Sequence, residues 1–171
     1  MSRTILITGA GRGIGRAMTE QLLASGASVH ATASSDAALA DLAELGAITH
    51  RVDVTRAQDI TALKQALGDT PLDVLINNAG IIGPDRQNPG DVDIDGWRLT
   101  MEVNMIAPYL VTNALADNVA ASDEKKVVIV SSRMGSVSET TSPDRMVYRS
   151  SKAAVNMVAQ CMALTLQPRG V

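Results

Sequence analysis

The sequence predicts a single α/β domain built on a doubly wound parallel sheet, and three observations carry that expectation. A short apolar run, Ile5-Leu6-Ile7, feeds the cluster Thr8-Gly9-Ala10-Gly11-Arg12-Gly13-Ile14-Gly15, which opens a segment that reads as helix over residues 16–25. Beyond it, short apolar runs alternate with amphipathic stretches of helical length, a pattern that calls for parallel strands joined by right-handed crossovers. Val127-Val128-Ile129-Val130 is apolar on both faces, as suits a strand inside such a sheet.

Taken in order, Gly26 ends the first helix and residues 27–33 form the second strand. Asp36 is expected to cap a helix carrying Leu39, Leu42, Ala43 and Leu45, which stops at Gly46. Residues 48–52 read as a third strand, 55–67 as a helix and 72–76 as a fourth strand. The stretch 83–96, with two prolines and four aspartates, reads as a loop. A long helix follows over roughly 96–119, and Pro108 must kink it or sit where its hydrogen-bond ladder is already disturbed. Residues 125–132 give the fifth strand, 134–144 a loop rich in serine and threonine, and 145–167 the last helix, stopped by Pro168. The sequence shows no repeats and no interior linker, so residues 1–171 are expected to form one domain.

Composition narrows the function. The 171 residues can bury a substantial core, and 46% hydrophobic with 19% charged content is that of an ordinary globular protein. A net charge of −3, with no basic block longer than Lys125-Lys126, argues against nucleic acid as a partner. No apolar run approaches the roughly 18 residues of a membrane span, and no leader-like segment opens the chain, so we expect a cytoplasmic protein with no membrane partner. Cys161 is the only cysteine, and its apolar neighbours predict a buried, inert thiol. His30 and His50 fall in strands without a ligand-spaced partner, so no metal is expected. Trp97 reads as an anchor for the start of the long helix.

Strand, glycine cluster and helix in succession bring backbone N–H groups and the positive end of a helix dipole against a phosphate. Gly9 lets the chain turn out of the strand, Gly13 leaves no Cβ before a pyrophosphate, and Gly15 admits close packing of helix on sheet. The spacing is G-x-x-x-G-x-G rather than the usual dinucleotide G-x-G-x-x-G, and a tight turn without a ligand is the alternative. Asp53 and Val54 close the third strand, and Asn77-Asn78-Ala79-Gly80 closes the fourth. Ligands of doubly wound sheets lie at the carboxyl ends of strands, so both groups face the crevice of the glycine turn. Asp53 is placed to accept a hydrogen bond from an adenine amino group, or else to cap the next helix. Asn77 is expected to tie neighbouring strands together. Tyr148 and Lys152 stand four residues apart, on one helical face.

The T-G-x-x-x-G-I-G turn resembles the nucleotide turn of the short-chain dehydrogenase/reductase family. The N-N-A-G group, Asn104 in Val103-Asn104-Met105, Ser132 sixteen residues before Tyr148, and the Y-x-x-x-K pair follow in that family's order and spacing over the whole chain. Residues 76–84, 131–136 and 148–156 look most like its C-factor-like carbonyl reductase group. The resemblance implies a Rossmann-like sheet of strand order 3-2-1-4-5 and an oxidoreductase that transfers hydride between a nicotinamide coenzyme and a carbonyl or alcohol.

By the same resemblance, Gly9, Arg12, Gly13, Ile14 and Gly15 cradle the coenzyme, Asp53 and Val54 flank its adenine, and Asn78, Ala79 and Gly80 line its adenosine ribose. Tyr148 exchanges the proton, and Lys152 favours its phenolate and holds the nicotinamide ribose. Ser132, selected over Ser131 by the Ser-x-x-Gly frame, orients the substrate oxygen. Asn104 holds a water near the lysine, with a packing or kink role as its alternative. Ala33, Ser34 and Ser35 stand where an Asp or Glu would bind a ribose 2′-hydroxyl. With Arg12 they point to NADP(H) in preference to NAD(H).

The resemblance also implies a homodimer or homotetramer through the long helix and the last helix. Family members continue into two more strands and a segment over the substrate, whereas this sequence stops at Gly170-Val171. The open choices are a C-terminal part outside the sequence given, a partner over the fifth strand, or a shortened form. The alternative function is therefore a non-catalytic, coenzyme-binding module for signalling or assembly. The substrate itself is not legible.

Overall fold

The computed structural model describes residues 2–171. Five parallel strands form the main sheet: β1 (Thr4–Ile7), β2 (Ser28–Ala33), β3 (Ile48–Arg51), β4 (Val74–Asn77) and β7 (Lys126–Ile129), in the order β3-β2-β1-β4-β7. This is the expected 3-2-1-4-5 arrangement, because β7 is the fifth strand of the sheet. The crossovers are helices α1 (Gly13–Ala24), α2 (Asp36–Glu44), α3 (Ala57–Leu67), and α4 (Ile94–Met101) with α5 (Ala107–Ala120); α6 (Met146–Leu166) follows β7.

Alternation along β1 divides the core between the two faces of the sheet. Leu6 joins Leu75 of β4, Ile60, Leu63 and Leu67 of α3, and Val111, Leu115 and Val119 of α5. Ile5 and Ile7 point the other way, into Val29, Ala31, Leu42, Val74 and Ile76. Central parallel strands covered by helices on both sides are apolar where they are buried, and Ile5-Leu6-Ile7 of β1 meets that requirement.

Several expectations are corrected. Helix α2 is capped by Ser35, whose hydroxyl accepts from Ala38 N–H at 3.4 Å, and Asp36 is its first residue. The two residues are neighbours with similar capping propensity, so only backbone geometry decides between them. The 83–96 loop contains a small antiparallel hairpin, β5 (Gln87–Asn88) with β6 (Asp91–Val92), turning at Pro89-Gly90. The apolar β7 run lies at the sheet's edge, pairing only with β4, and Val128 is 42% exposed. Its pattern encodes burial of two faces and says nothing about lateral neighbours. Cys161 is exposed, together with Met157 and Leu164 on the same outward stripe of α6.

The long helix is split by a π-helical segment, Glu102–Ile106, between α4 and α5. Pro108 follows directly, within the first two residues of α5. Its missing N–H and its ring fall where the ladder has already slipped by one residue, so the helix tolerates it. Among the described residues, no helix is long and apolar enough to cross a membrane, and no group of three or more His, Cys, Asp or Glu side chains is placed to hold a metal.

His30 and His50 stack across β2 and β3, ring centroids 5.2 Å apart, with Nδ1 of His30 2.9 Å from Nε2 of His50. At that distance one ring donates and the other accepts, so at least one must be neutral. Burial lowers the pKa of both, and the charge of His50 lowers that of His30 further. Folded pKa values below the unfolded value of about 6.5 mean that, under that pH, the unfolded chain binds more protons. Stability should therefore fall as pH drops from 7 to 5. Thermal midpoints measured across that range should decline less steeply in His50→Gln than in the parent; equal slopes would discount the pair.

Candidate functional site

The site begins where β1 runs out. The Thr8 hydroxyl accepts from the backbone N–H groups of Asn78 (3.0 Å) and Ala79 (3.1 Å), while the Asn78 carboxamide donates to the carbonyls of Thr8 and Gly9 at 3.0 Å each. These bonds hold the end of β4 against the glycine turn. A Cβ on Gly9, whose φ is +65°, would lie 2.8 Å from Ala79 Cα, and one on Gly15 would lie 2.4 Å from the Asn78 amide. Gly15 thus serves contact between the helix start and the turn itself. At Gly13, with φ +56°, an added Cβ would meet nothing within 4 Å, so the space in front of it is open.

Helix α1 starts beside that opening with Arg12 at its N-cap and no side chain capping it. Its first N–H groups therefore have no protein side chain to satisfy them. A diphosphate fits this cradle: open space, unsatisfied donors, the positive end of a dipole, and the exposed Arg12 and Ile14 at its rim.

Along the sheet, Ser34 is exposed after β2, and Ser35 is committed to capping α2. The Asp53 carboxylate is folded back on its own turn, accepting from the Thr55 hydroxyl at 2.7 Å and from Thr55 N–H at 3.0 Å. Those bonds, with Arg56 at 3.6 Å, hold it below its usual pKa. Val54 is buried against α3, so it contributes backbone rather than side chain to the crevice. Asn77 does not tie strands through its side chain: its amide donates to the Thr112 hydroxyl of α5 at 2.9 Å, and Asn78 does the strand-to-strand work. Alternation explains the exchange, because Asn77 is the last residue in β4 and points into the helix layer.

On the other side of the crevice, the Lys152 ammonium is buried, donates to Val130 C=O at 2.8 Å and lies 5.9 Å from the centre of the Tyr148 ring. Burial pulls its pKa below the ordinary value. A 3₁₀ turn, Arg133–Gly135, packs on the same part of α6, where a Cβ on Gly135 would come within 2.8 Å of Lys152. Ser132 caps that turn by accepting from Met134 N–H at 3.1 Å, which leaves its O–H free to donate. Ser131, in contrast, donates to Asn156 Oδ1 at 2.6 Å.

Asn104 sits in the π segment, where backbone register is shifted. Its Oδ1 accepts from Ile81 N–H, and its amide donates to Ile81 C=O (2.8 Å) and to the Ser151 hydroxyl (2.9 Å). Ser151 in turn donates to Tyr148 C=O. Gly80 lies between Asn104 Oδ1 and Lys152 Nζ, 3.3 and 3.7 Å from where its Cβ would be. The structure thus gathers Asn104, Ser132, Tyr148 and Lys152 around the strand ends after β4 and β7, across the crevice from the glycine turn.

The supporting roles of Thr8, Ser151 and Gln87 are not legible in the sequence. Gln87 Oε1 accepts from Tyr148 N–H at 3.2 Å, its amide donates to Pro84 C=O at 2.7 Å, and Asn88 Oδ1 accepts from Arg145 N–H. The hairpin thus caps α6 from some sixty residues away, since Arg145 provides no side-chain cap of its own. A cleft of about 350 Å³ opens between Pro84, Asn88 and Arg145 beside this cap. The Pro89-Gly90 turn was the one available signal for the hairpin.

Comparison with known proteins agrees with this geometry. A family model for short chain dehydrogenases matches residues 3–171. A short chain dehydrogenase of Pseudocercospora fijiensis is 36% identical over 181 residues, covering 99% of this chain and 56% of the relative. The C-signal protein of Myxococcus xanthus is 40% identical over 100 residues, 58% of this chain and 60% of its own. The chain therefore spans less than two thirds of the length of these relatives. A Burkholderia multivorans structure with bound NADP superposes with a TM-score of 0.86 at 31% identity, covering 98% of this chain and 75% of that one.

Removing the hairpin's cap tests its hold on α6. Gln87→Ala strips the acceptor from the part-buried Tyr148 N–H and should cost about 1 kcal/mol in denaturant unfolding. Gln87→Glu keeps the acceptor for Tyr148 N–H but turns a buried carboxylate oxygen on Pro84 C=O, so it should not restore the parent stability.

Proposed function

The chain belongs to the short-chain dehydrogenase family, and on that footing we propose that its crevice binds NADP(H) and interconverts a small carbonyl compound and its alcohol. The observation that carries this is the grouping of Tyr148, Lys152 and the free Ser132 hydroxyl on one wall, facing an open glycine cradle on the other. When bound, the coenzyme supplies or accepts the hydride. The protein's own residues manage the oxygen and its proton. Ser132 donates to the substrate oxygen, and Tyr148 gives that oxygen a proton in reduction or takes one in oxidation. Lys152, buried and with its pKa lowered, stands 5.9 Å from the centre of the Tyr148 ring and serves as a donor to the nicotinamide ribose. Asn104 braces Ile81 and, through Ser151, the backbone of Tyr148.

The glycines hold the diphosphate, Arg12 serves the 2′-phosphate beside Ser34, Asn78, Ala79 and Gly80 border the adenosine ribose, and Asp53 and Val54 flank the adenine. NADP(H) is favoured over NAD(H) because β2 ends in Ala33-Ser34-Ser35 with no ribose-binding acid, and because a similar structure contains NADP. Two copies associate through α4, α5 and α6, whose exposed Leu99, Tyr109, Met157 and Leu164 need cover. The chain works in the cytoplasm. A second reading, a coenzyme-binding module without turnover, is favoured by the chain's likeness to C-signal.

Coenzyme oxidation against a panel of aldehydes, ketones and quinones separates the two readings. Tyr148→Phe should lower turnover by about 10²–10⁴-fold, the usual contribution of a positioned acid or base, while calorimetry shows NADPH binding intact. Unchanged turnover would refute the assignment to Tyr148.

A further inference from the structure

Arg51 is the last residue of β3, and its register partner is Ala33, the last residue of β2. Val52 N–H continues the pairing to Ala33 C=O at 3.0 Å. Arg51 therefore leaves the sheet one strand away from Ser34, at the same carboxyl edge. By strand alternation Thr49 and Arg51 share the face of Ala31 and Ala33, on which α2 packs. The guanidinium accordingly meets the start of α2, with Nη1 2.5 Å from Asp36 Oδ1.

The glycine turn reaches the same corner. A Cβ on Gly11 would lie 2.8 Å from Ala38 Cβ and 3.3 Å from Ala33 Cβ, so Gly11 borders Ala33 and the first turn of α2, and the exposed Arg12 follows it directly in the chain. Arg16, the other cation on this side, is already engaged by Glu20 and Asp41. Among the described residues Arg51 is held only by Asp36, in a pair whose side chains are 63% and 81% exposed. Such a pair contributes little and is easily re-formed around a third charge.

We propose that Arg51 is the second cation for the 2′-phosphate of NADP(H), and that Asp36 is the acid it must neutralise for that phosphate to be accepted. The inference rests on the coenzyme reading above and deepens it. An acid near the end of β2 rejects a 2′-phosphate by charge repulsion. Arg12 alone would only cancel Asp36; with Arg51 the corner carries a net positive charge and a planar fork suited to phosphate. The exposed hydroxyl of Ser34 completes the donor set.

The test is equilibrium binding of NADPH and NADH to the full chain by calorimetry, with Arg51→Ala, Asp36→Asn and the double variant. Arg51→Ala should weaken NADPH about tenfold, the loss of one charge-assisted contact, and leave NADH within about twofold. Asp36→Asn should tighten NADPH severalfold, and adding it to Arg51→Ala should recover part of the loss. A ratio of NADPH to NADH affinity that is the same in Arg51→Ala as in the parent overturns the role of Arg51, whether both affinities hold or both fall. Parent protein that binds neither nucleotide overturns the coenzyme reading and this inference with it; parent protein that binds both while the ratio stays fixed overturns Arg51 alone.

Discussion

Four hydrogen bonds between Thr8 or Gly9 and the Asn78-Ala79 segment join the two strand ends on which the crevice is built. They convert two adjacent loops into one rigid lip. The glycines then have a reason beyond flexibility: at Gly9 and Gly15 a side chain would drive the lip apart, whereas at Gly13 the space is kept for something else. Because β1 and β4 are central strands buried on both sides, the lip inherits the stability of the core.

The opposite wall is assembled by a different principle. Tyr148 and Lys152 are fixed by their helix, but the helix is fixed by contacts that converge on it from the π segment, the 3₁₀ turn after β7 and the β5–β6 hairpin. The contacts from the π segment and the hairpin are made by polar groups that would be costly to bury alone, while the 3₁₀ turn adds close packing at Gly135. The burial of Lys152 belongs to the same balance. Its ammonium gives up water for a single backbone carbonyl, and its lowered affinity for the proton reflects that exchange.

What the sequence disclosed follows from how far each signal reaches along the chain. The glycine turn, the alternation of strands and helices and the four-residue spacing of Tyr148 and Lys152 are local, and the expected sheet order was right. The strand-tying role expected of Asn77 falls to Asn78 because a turn motif does not say which of two neighbours faces the helices. Ser35 displaced Asp36 as a cap for the same reason. Apolar neighbours on a helix suggest a core position for Cys161, yet this stripe of α6 faces outward. Gln87 could not be found at all from spacing, since its partner is sixty-one residues away.

The hairpin's grip on α6 changes what kind of segment 83–93 is. Connecting stretches at a surface ordinarily accept changes in length with little penalty. This one is pinned at both ends, by Gln87 and Asn88 on the start of α6 and by Asp93 on the start of α4. Adding or deleting residues between those anchors disturbs two helix origins at once, so the stretch is a strut, and variation among related chains should concentrate in what its side chains present rather than in how long it is.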